Sequence, residues 1–179
     1  MRFFMSKKFS GTVWCSYAIL GPPESNPEIS GILVSYIQRN GAKVLNQYIA
    51  DSRKRMQFIS ELAKSNGYTA KEWFDLERKI KSGIIYQHDI EGVKQADRLV
   101  VLPKCSSSGV GMEVQYALNK PAMGMNLTPI LVLVEESLLP ELPTMIQGAA
   151  EQTQHMFVTS YTTLLSAYQA IDNFFTFTE

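Results

Sequence analysis

Leu99-Val-Val-Leu-Pro103, followed after one lysine by Cys105-Ser-Ser-Ser-Gly-Val-Gly-Met-Glu113, is the stretch from which the rest of this sequence can be read. A short, continuous apolar run that stops at a proline has the length and β-branched content of a strand buried on both faces. The helix-compatible residues 113–119 begin where the small residues end, so the Ser/Gly segment is read as the loop between a buried strand and a helix. Such a loop has the chemistry of an anion site. It offers three hydroxyls, two glycines that let backbone approach a ligand, and the unpaired N–H groups of a helix start. Glu113 is expected in the first helical turn, where the helix dipole would keep it ionised. An ionised carboxylate beside a phosphate-sized site can act as a nucleophile toward a sugar carbon. From this segment alone the plainer alternative, a serine-rich turn with an acidic helix start, stays open.

Working outward, Thr12-Val-Trp-Cys-Ser-Tyr-Ala-Ile-Leu20 is β-prone, ends at Gly21-Pro22-Pro23, and is read as the first strand. Asn26-Pro27 supplies a cap and a first-turn proline for a helix through Gln38. Its apolar residues Ile29, Ile32, Leu33, Tyr36 and Ile37 recur at helical spacing, and Asn40-Gly41 closes it. Residues 43–50 are read as a second strand. Residues 53–65 and 69–81 are helix-compatible on either side of Asn66-Gly67, and a further helical stretch, 84–96, leads to Asp97 as a turn residue. Beyond the loop, 129–134 and the weaker 156–159 are expected strands, and 162–175 a closing amphipathic helix. Strands alternating with helices predict one α/β domain over residues 1–179, Rossmann-like or flavodoxin-like, with a central, mostly parallel sheet of about five strands covered by helices on both faces. Ligands of such sheets bind at the carboxyl ends of the strands, where the turn after Leu20 and the 105–111 loop would lie.

Composition narrows the function classes. With 179 residues and 45% apolar content the chain can bury one sizeable core. Seventeen basic residues cancel seventeen acidic ones, which removes the electrostatic case for a nucleic-acid or anionic-membrane partner. Lys7-Lys8 and Arg53-Lys54-Arg55 are read as solvated faces. Cys15 and Cys105 form neither a disulfide framework nor a metal-ligand spacing; both are expected reduced and buried, and neither a metal nor a cofactor is expected. The first ten residues contain no apolar signal core, and no run of about 18 apolar residues occurs, so a cytoplasmic protein is expected. His88 and His155 belong to no Ser/His/Asp set and are read as surface or packing residues. Tyr17 and Tyr48 stand at strand ends, where a base or sugar could stack or hydrogen-bond, or else pack in the core.

Four segments then carry a family resemblance: Val13-Trp14 running toward Gly21-Pro22, Lys43-Val-Leu-Asn-Gln-Tyr-Ile-Ala-Asp51, His88-Asp89-Ile90 through Gln95-Ala96-Asp97, and Ser107-Ser-Gly-Val-Gly-Met-Glu113. In this order they resemble the nucleoside 2-deoxyribosyltransferase superfamily, and within it the 2′-deoxynucleoside 5′-monophosphate N-glycosidases and their cytidine-monophosphate-hydrolysing relatives. The resemblance implies that Glu113 is the nucleophile forming a glycosyl-enzyme intermediate, and that Asp89 contacts the sugar and supports proton traffic. It implies that the loop with Ser107, Ser108, Gly109 and Gly111 holds the 5′-phosphate, since deoxyribosyltransferases, which grip a neutral 5′-hydroxyl, carry acidic or amide residues there. Trp14 falls where the deoxy-specific hydrolases carry tyrosine and the ribonucleotide enzymes phenylalanine, although a one-residue slip would put Val13 there; the 2′ preference and the base are therefore open. With Trp14, Tyr17 also counts among the candidate binding residues. Pro143 and Thr144 depart from a phosphate-contacting serine of the deoxynucleotide hydrolases. Met145-Ile-Gln-Gly-Ala149 is similar to the family's subunit-interface segment, so a homodimer is expected. The implied activity is hydrolysis of a nucleoside 5′-monophosphate to free base and (deoxy)ribose 5-phosphate. Base exchange and a non-catalytic nucleotide-binding module are the alternatives. Two carboxylates facing one pocket, about 5–5.5 Å apart as in retaining glycosidases, would serve that chemistry.

Overall fold

Five short apolar runs pair in parallel throughout. The structure, a computed structural model, describes residues 11–17, 27–50, 52–104 and 107–177. Its strands β1 (Thr12–Tyr17), β2 (Lys43–Val44), β3 (Arg98–Leu102), β4 (Ile130–Glu135) and β5 (Met156–Tyr161) form one sheet in the order β2-β1-β3-β4-β5. The helices are α1 (Pro27–Arg39), α2 (Ser52–Ser65), α3 (Ala70–Asp75), α4 (Arg78–Gln95), α5 (Ser108–Asn119), α6 (Thr144–Gln152) and α7 (Leu164–Thr176). The expected α/β class, with five strands and helices on both faces, is what is observed.

The strands are apolar on both faces because both are covered, and the period of two sorts their side chains. Val13, Cys15, Val100, Leu102 and Leu131 face α1 and α7, against Leu33, Ile37 and Ile171. Trp14, Leu99, Val101, Ile130 and Val132 face the other way, against Val93 of α4, Val114 and Ala117 of α5, and Ile146 of α6. A satellite core of Leu62, Ala63 and Trp73 joins α2, α3 and the start of α4. Strand order reverses between β1 and β3, the topological switch point at which such sheets bind ligands.

The strand expected over 43–50 lasts only two residues. Leu45 N–H still donates to Val13 O at 2.9 Å. Next, the buried Asn46 amide replaces backbone: its Oδ1 accepts from Cys15 N–H at 2.9 Å and its Nδ2 donates to Cys15 O at 2.7 Å. With that rung supplied by a side chain, the chain is free to coil into the 3-10 turn Gln47–Ala50. The helix expected over 69–81 is also divided. Thr69 and Glu72 form a capping box that starts α3, but Leu76 is extended and packs in the satellite core, so α4 begins afresh at Arg78, ahead of the expected 84. α5 starts at Ser108 instead of 113, and α6 forms in the 142–150 region where no helix was expected. Residues 18–20, the Gly21-Pro22-Pro23 stop, the Asn26 cap and Cys105 lie outside the described residues. Cys15 is a free, fully buried thiol that burial pushes up to about 12, an environment that keeps a thiol inert. Among the described residues no helix is long and apolar enough to cross a membrane.

Candidate active site

The site begins with strand alternation: Ser16 follows Trp14 by two residues and so turns to the same face, at the carboxyl end of β1. Across from it runs α5. Ser107 is the N-cap in extended conformation, its Oγ accepting from Val110 N–H at 3.5 Å, and Gly111 N–H donates to Ser107 O at 3.1 Å. The first-turn N–H groups of Ser108 and Gly109 have no partner within the helix and lie at an exposed tip.

Glu113 stands in the second turn of α5, a correction to the expected first. Its Oε2 accepts a hydrogen bond from Ser16 Oγ. The dipole does not hold this carboxyl low. Burial pushes the carboxyl up to about 7, the Ser16 hydroxyl pulls it back, the Asp89 charge pushes it further up, and the nearby Trp14 indole pulls it down. The dipole's influence fades within the first turn, so desolvation wins. The buried Trp14 N–H lies near enough to this carboxylate to pull it down, and no described group takes it in a full hydrogen bond.

Asp89 reaches the same place from α4, as its effect on Glu113 requires. Tyr48 arrives from the 3-10 turn. Burial raises its phenol above the usual tyrosine range, and the charges of Asp89 and Glu113 add to that. Three acidic groups from three elements therefore converge. What lets α4 come so near β1 is Gly92, one turn beyond Asp89: a Cβ there would sit 1.9 Å from Cζ3 of Trp14. The rim is aromatic, with Phe58 of α2 stacked on Tyr48 at 3.6 Å between centroids.

Not every candidate joins this cluster. Tyr17 lies on the opposite face, against the α1/α7 core, with the Lys104 ammonium 5.3 Å from its ring centre. Ser107, Ser108 and Gly111 line a cavity of about 970 Å³ between α5 and α6, together with Tyr86, Tyr116 and Met145; Glu113, Asp89 and Trp14 do not line it. The carboxylate cluster and this cavity are thus lined by different residues of α5. Among the described residues no cluster of three His, Cys, Asp or Glu could hold a metal ion.

Ser16, His88, Phe58 and Gly92 are site residues that the sequence reading did not single out as such. Ser16 was within reach, since any residue two from Trp14 on a strand shares its face. Phe58 and Gly92 carry no local signal, because their roles depend on a distant turn and strand.

No protein-family model matches this chain, and no curated protein matches it in sequence. Among solved structures it is similar to the CMP N-glycosidase BcmB of Clostridium botulinum, with a TM-score of 0.53 and 15% identity, over 91% of this chain and 98% of that one. At that identity the likeness is one of fold.

Proposed function

We propose that this protein is an N-glycosidase that hydrolyses a nucleoside 5′-monophosphate to free base and (deoxy)ribose 5-phosphate. The observation that carries the proposal is Glu113: a desolvated carboxyl, hydrogen-bonded to Ser16 and electrostatically coupled to Asp89, at the switch point of the sheet. Desolvated, charge-coupled acids in clefts are candidate reagents. The fold likeness to a CMP N-glycosidase supports the same reading.

In this mechanism the 5′-phosphate lies at the tip of α5, taking the first-turn N–H groups of Ser108 and Gly109 and the proton of the Ser107 hydroxyl, whose oxygen already serves the cap. Ionised Glu113 bonds to the anomeric carbon as the C–N bond breaks and its electron pair leaves with the base. The departing base takes its proton from a water molecule that Asp89 orients, and the hydroxide so formed attacks the glycosyl ester and frees Glu113. Trp14 and Tyr48 wall the sugar side. Because attack needs the ionised form, base release should rise with pH through the Glu113 value of about 7. The proposal includes a homodimer through the 142–150 segment, where Met145 is 83% exposed beside the α5/α6 cavity.

The test is chromatography of bases released from a panel of nucleoside monophosphates and nucleosides. We expect release from at least one monophosphate. Glu113→Ala should abolish it, by several orders of magnitude, while the folded protein still binds nucleotide. No release from any monophosphate, or near-normal release by the alanine variant, would overturn the reading. Ser107→Ala should weaken nucleotide binding far more than nucleoside binding; equal losses would remove the phosphate site.

A further inference from the structure

We infer that His88 is a positioning residue of this site, whose Nδ1–H holds Asp89 so that one carboxylate oxygen is tethered and the other is presented to substrate. The inference rests on the glycosidase reading above and deepens it.

The two side chains meet at 3.0 Å, Nδ1 of His88 to Oδ1 of Asp89. Consecutive residues on a helix point about 100° apart and do not face one another unprompted. Here the imidazole is held in place by rings from three other elements: Phe58 of α2 at 4.8 Å between centroids, Trp14 of β1 at 5.8 Å and Tyr48 of the 3-10 turn at 6.0 Å. Surrounded by three rings tilted 51–59° to its own plane, the imidazole has restricted freedom, and its Nδ1 meets the carboxylate. In the proposed arrangement the Asp89 carboxylate accepts and Nδ1 carries the proton, in the neutral Nδ1–H tautomer as in the imidazolium. Asp89 shares its surroundings with Glu113 of α5 and the Tyr48 hydroxyl. With a second acid so near, a free Asp89 side chain would be turned away by like-charge repulsion. The tether at Oδ1 opposes that and leaves Oδ2 for the sugar or the departing base. Trp14 belongs to the device too, since it rests on Gly92 of the helix that carries both His88 and Asp89.

Two variants separate tethering from packing. His88→Phe keeps an aromatic ring and removes the donor; His88→Asn places an amide N–H near the Nδ1 position without a titratable ring. We expect His88→Phe to lower kcat for base release by roughly tenfold to a hundredfold, the scale of losing an outer-shell partner, with KM within about threefold. His88→Asn should recover most of it. Equal activity of His88→Phe and wild type, or His88→Asn no better than His88→Phe, would overturn the inference. A second readout does not use turnover. The chain has two histidines, so ring-nitrogen NMR at pH 8 resolves the tautomer of each. His88 should be Nδ1–H in the wild type and revert toward the commoner Nε2–H form in Asp89→Ala; Nε2–H in the wild type would also overturn it. Wild-type protein inactive on every nucleotide would sink the glycosidase reading while the tautomer still decides whether His88 tethers Asp89.

Discussion

At each end of β1 a hydroxyl meets a carboxylate, yet only one of the two pairs has the makings of a reagent. At the amino end Asp97 Oδ2 accepts from Thr12 N–H at 2.6 Å and lies 2.8 Å from Thr12 Oγ1, while Asp97 N–H donates back to Thr12 Oγ1 at 3.1 Å. Asp97 is exposed, so water completes its shell. The pair is a joint that ties the α4–β3 junction to the sheet. At the carboxyl end Glu113 is drawn under cover, takes its hydrogen bond from a hydroxyl instead of a backbone N–H, faces a second acid, and is pushed up to about 7. Donor count and access to water, not residue type, decide whether a carboxylate stabilises a fold or stands ready to react.

Substitution at the two acids should separate them most sharply. Glu113 is raised from an ordinary value of 4.5, so the folded protein holds an extra proton between about pH 4.5 and 7, and its stability falls as pH rises through that window. Glu113→Gln removes the cost of ionising a half-buried, desolvated group and should gain about 2–3 kcal/mol at pH 8, and little at pH 5, while losing base release. Urea unfolding at the two pH values checks this; a pH-independent change would erase the contrast. Gly92→Ala attacks the covered end alone. The new methyl overlaps Trp14, and displacing that ring should cost roughly 1–3 kcal/mol, with a changed tryptophan emission and reduced base release. Unchanged emission and activity would mean that the ring has room the structure does not indicate.

Asp97→Ala should cost only about 1 kcal/mol, since its hydrogen bonds compete with water, and should leave kcat per folded molecule unaltered. A loss of kcat would mean the joint is coupled to the site. The smallest expected effect is at Ser16. Its hydroxyl favours the ionised form of Glu113, so Ser16→Ala should move the acid limb of base release upward by roughly half a pH unit to one unit. A downward shift would contradict the hydrogen bond's assigned direction.

The local order of strands and helices was readable because buried parallel strands are unbroken apolar runs and helix ends carry caps and glycines. That is why Leu99-Val-Val-Leu102 and the helix from Pro27 were placed correctly. The loop serines and the pair Glu113 and Asp89 could likewise be proposed as candidates from the sequence and its family resemblance. The tertiary structure alone decided the rest. Residues 43–50 have strand composition, but the Asn46 amide ends the ladder, and that depends on Cys15 lying alongside. Both acids were visible as letters, whereas the protonation of Glu113 depends on Ser16, Trp14, Asp89 and on what covers it. His88 reads as packing in the sequence; the rings of Phe58, Trp14 and Tyr48 beside it, and Asp89 at 3.0 Å, come together only in the fold. Periodicity and capping are local properties that a chain carries in its order; desolvation and charge coupling arise only when distant segments share the same space.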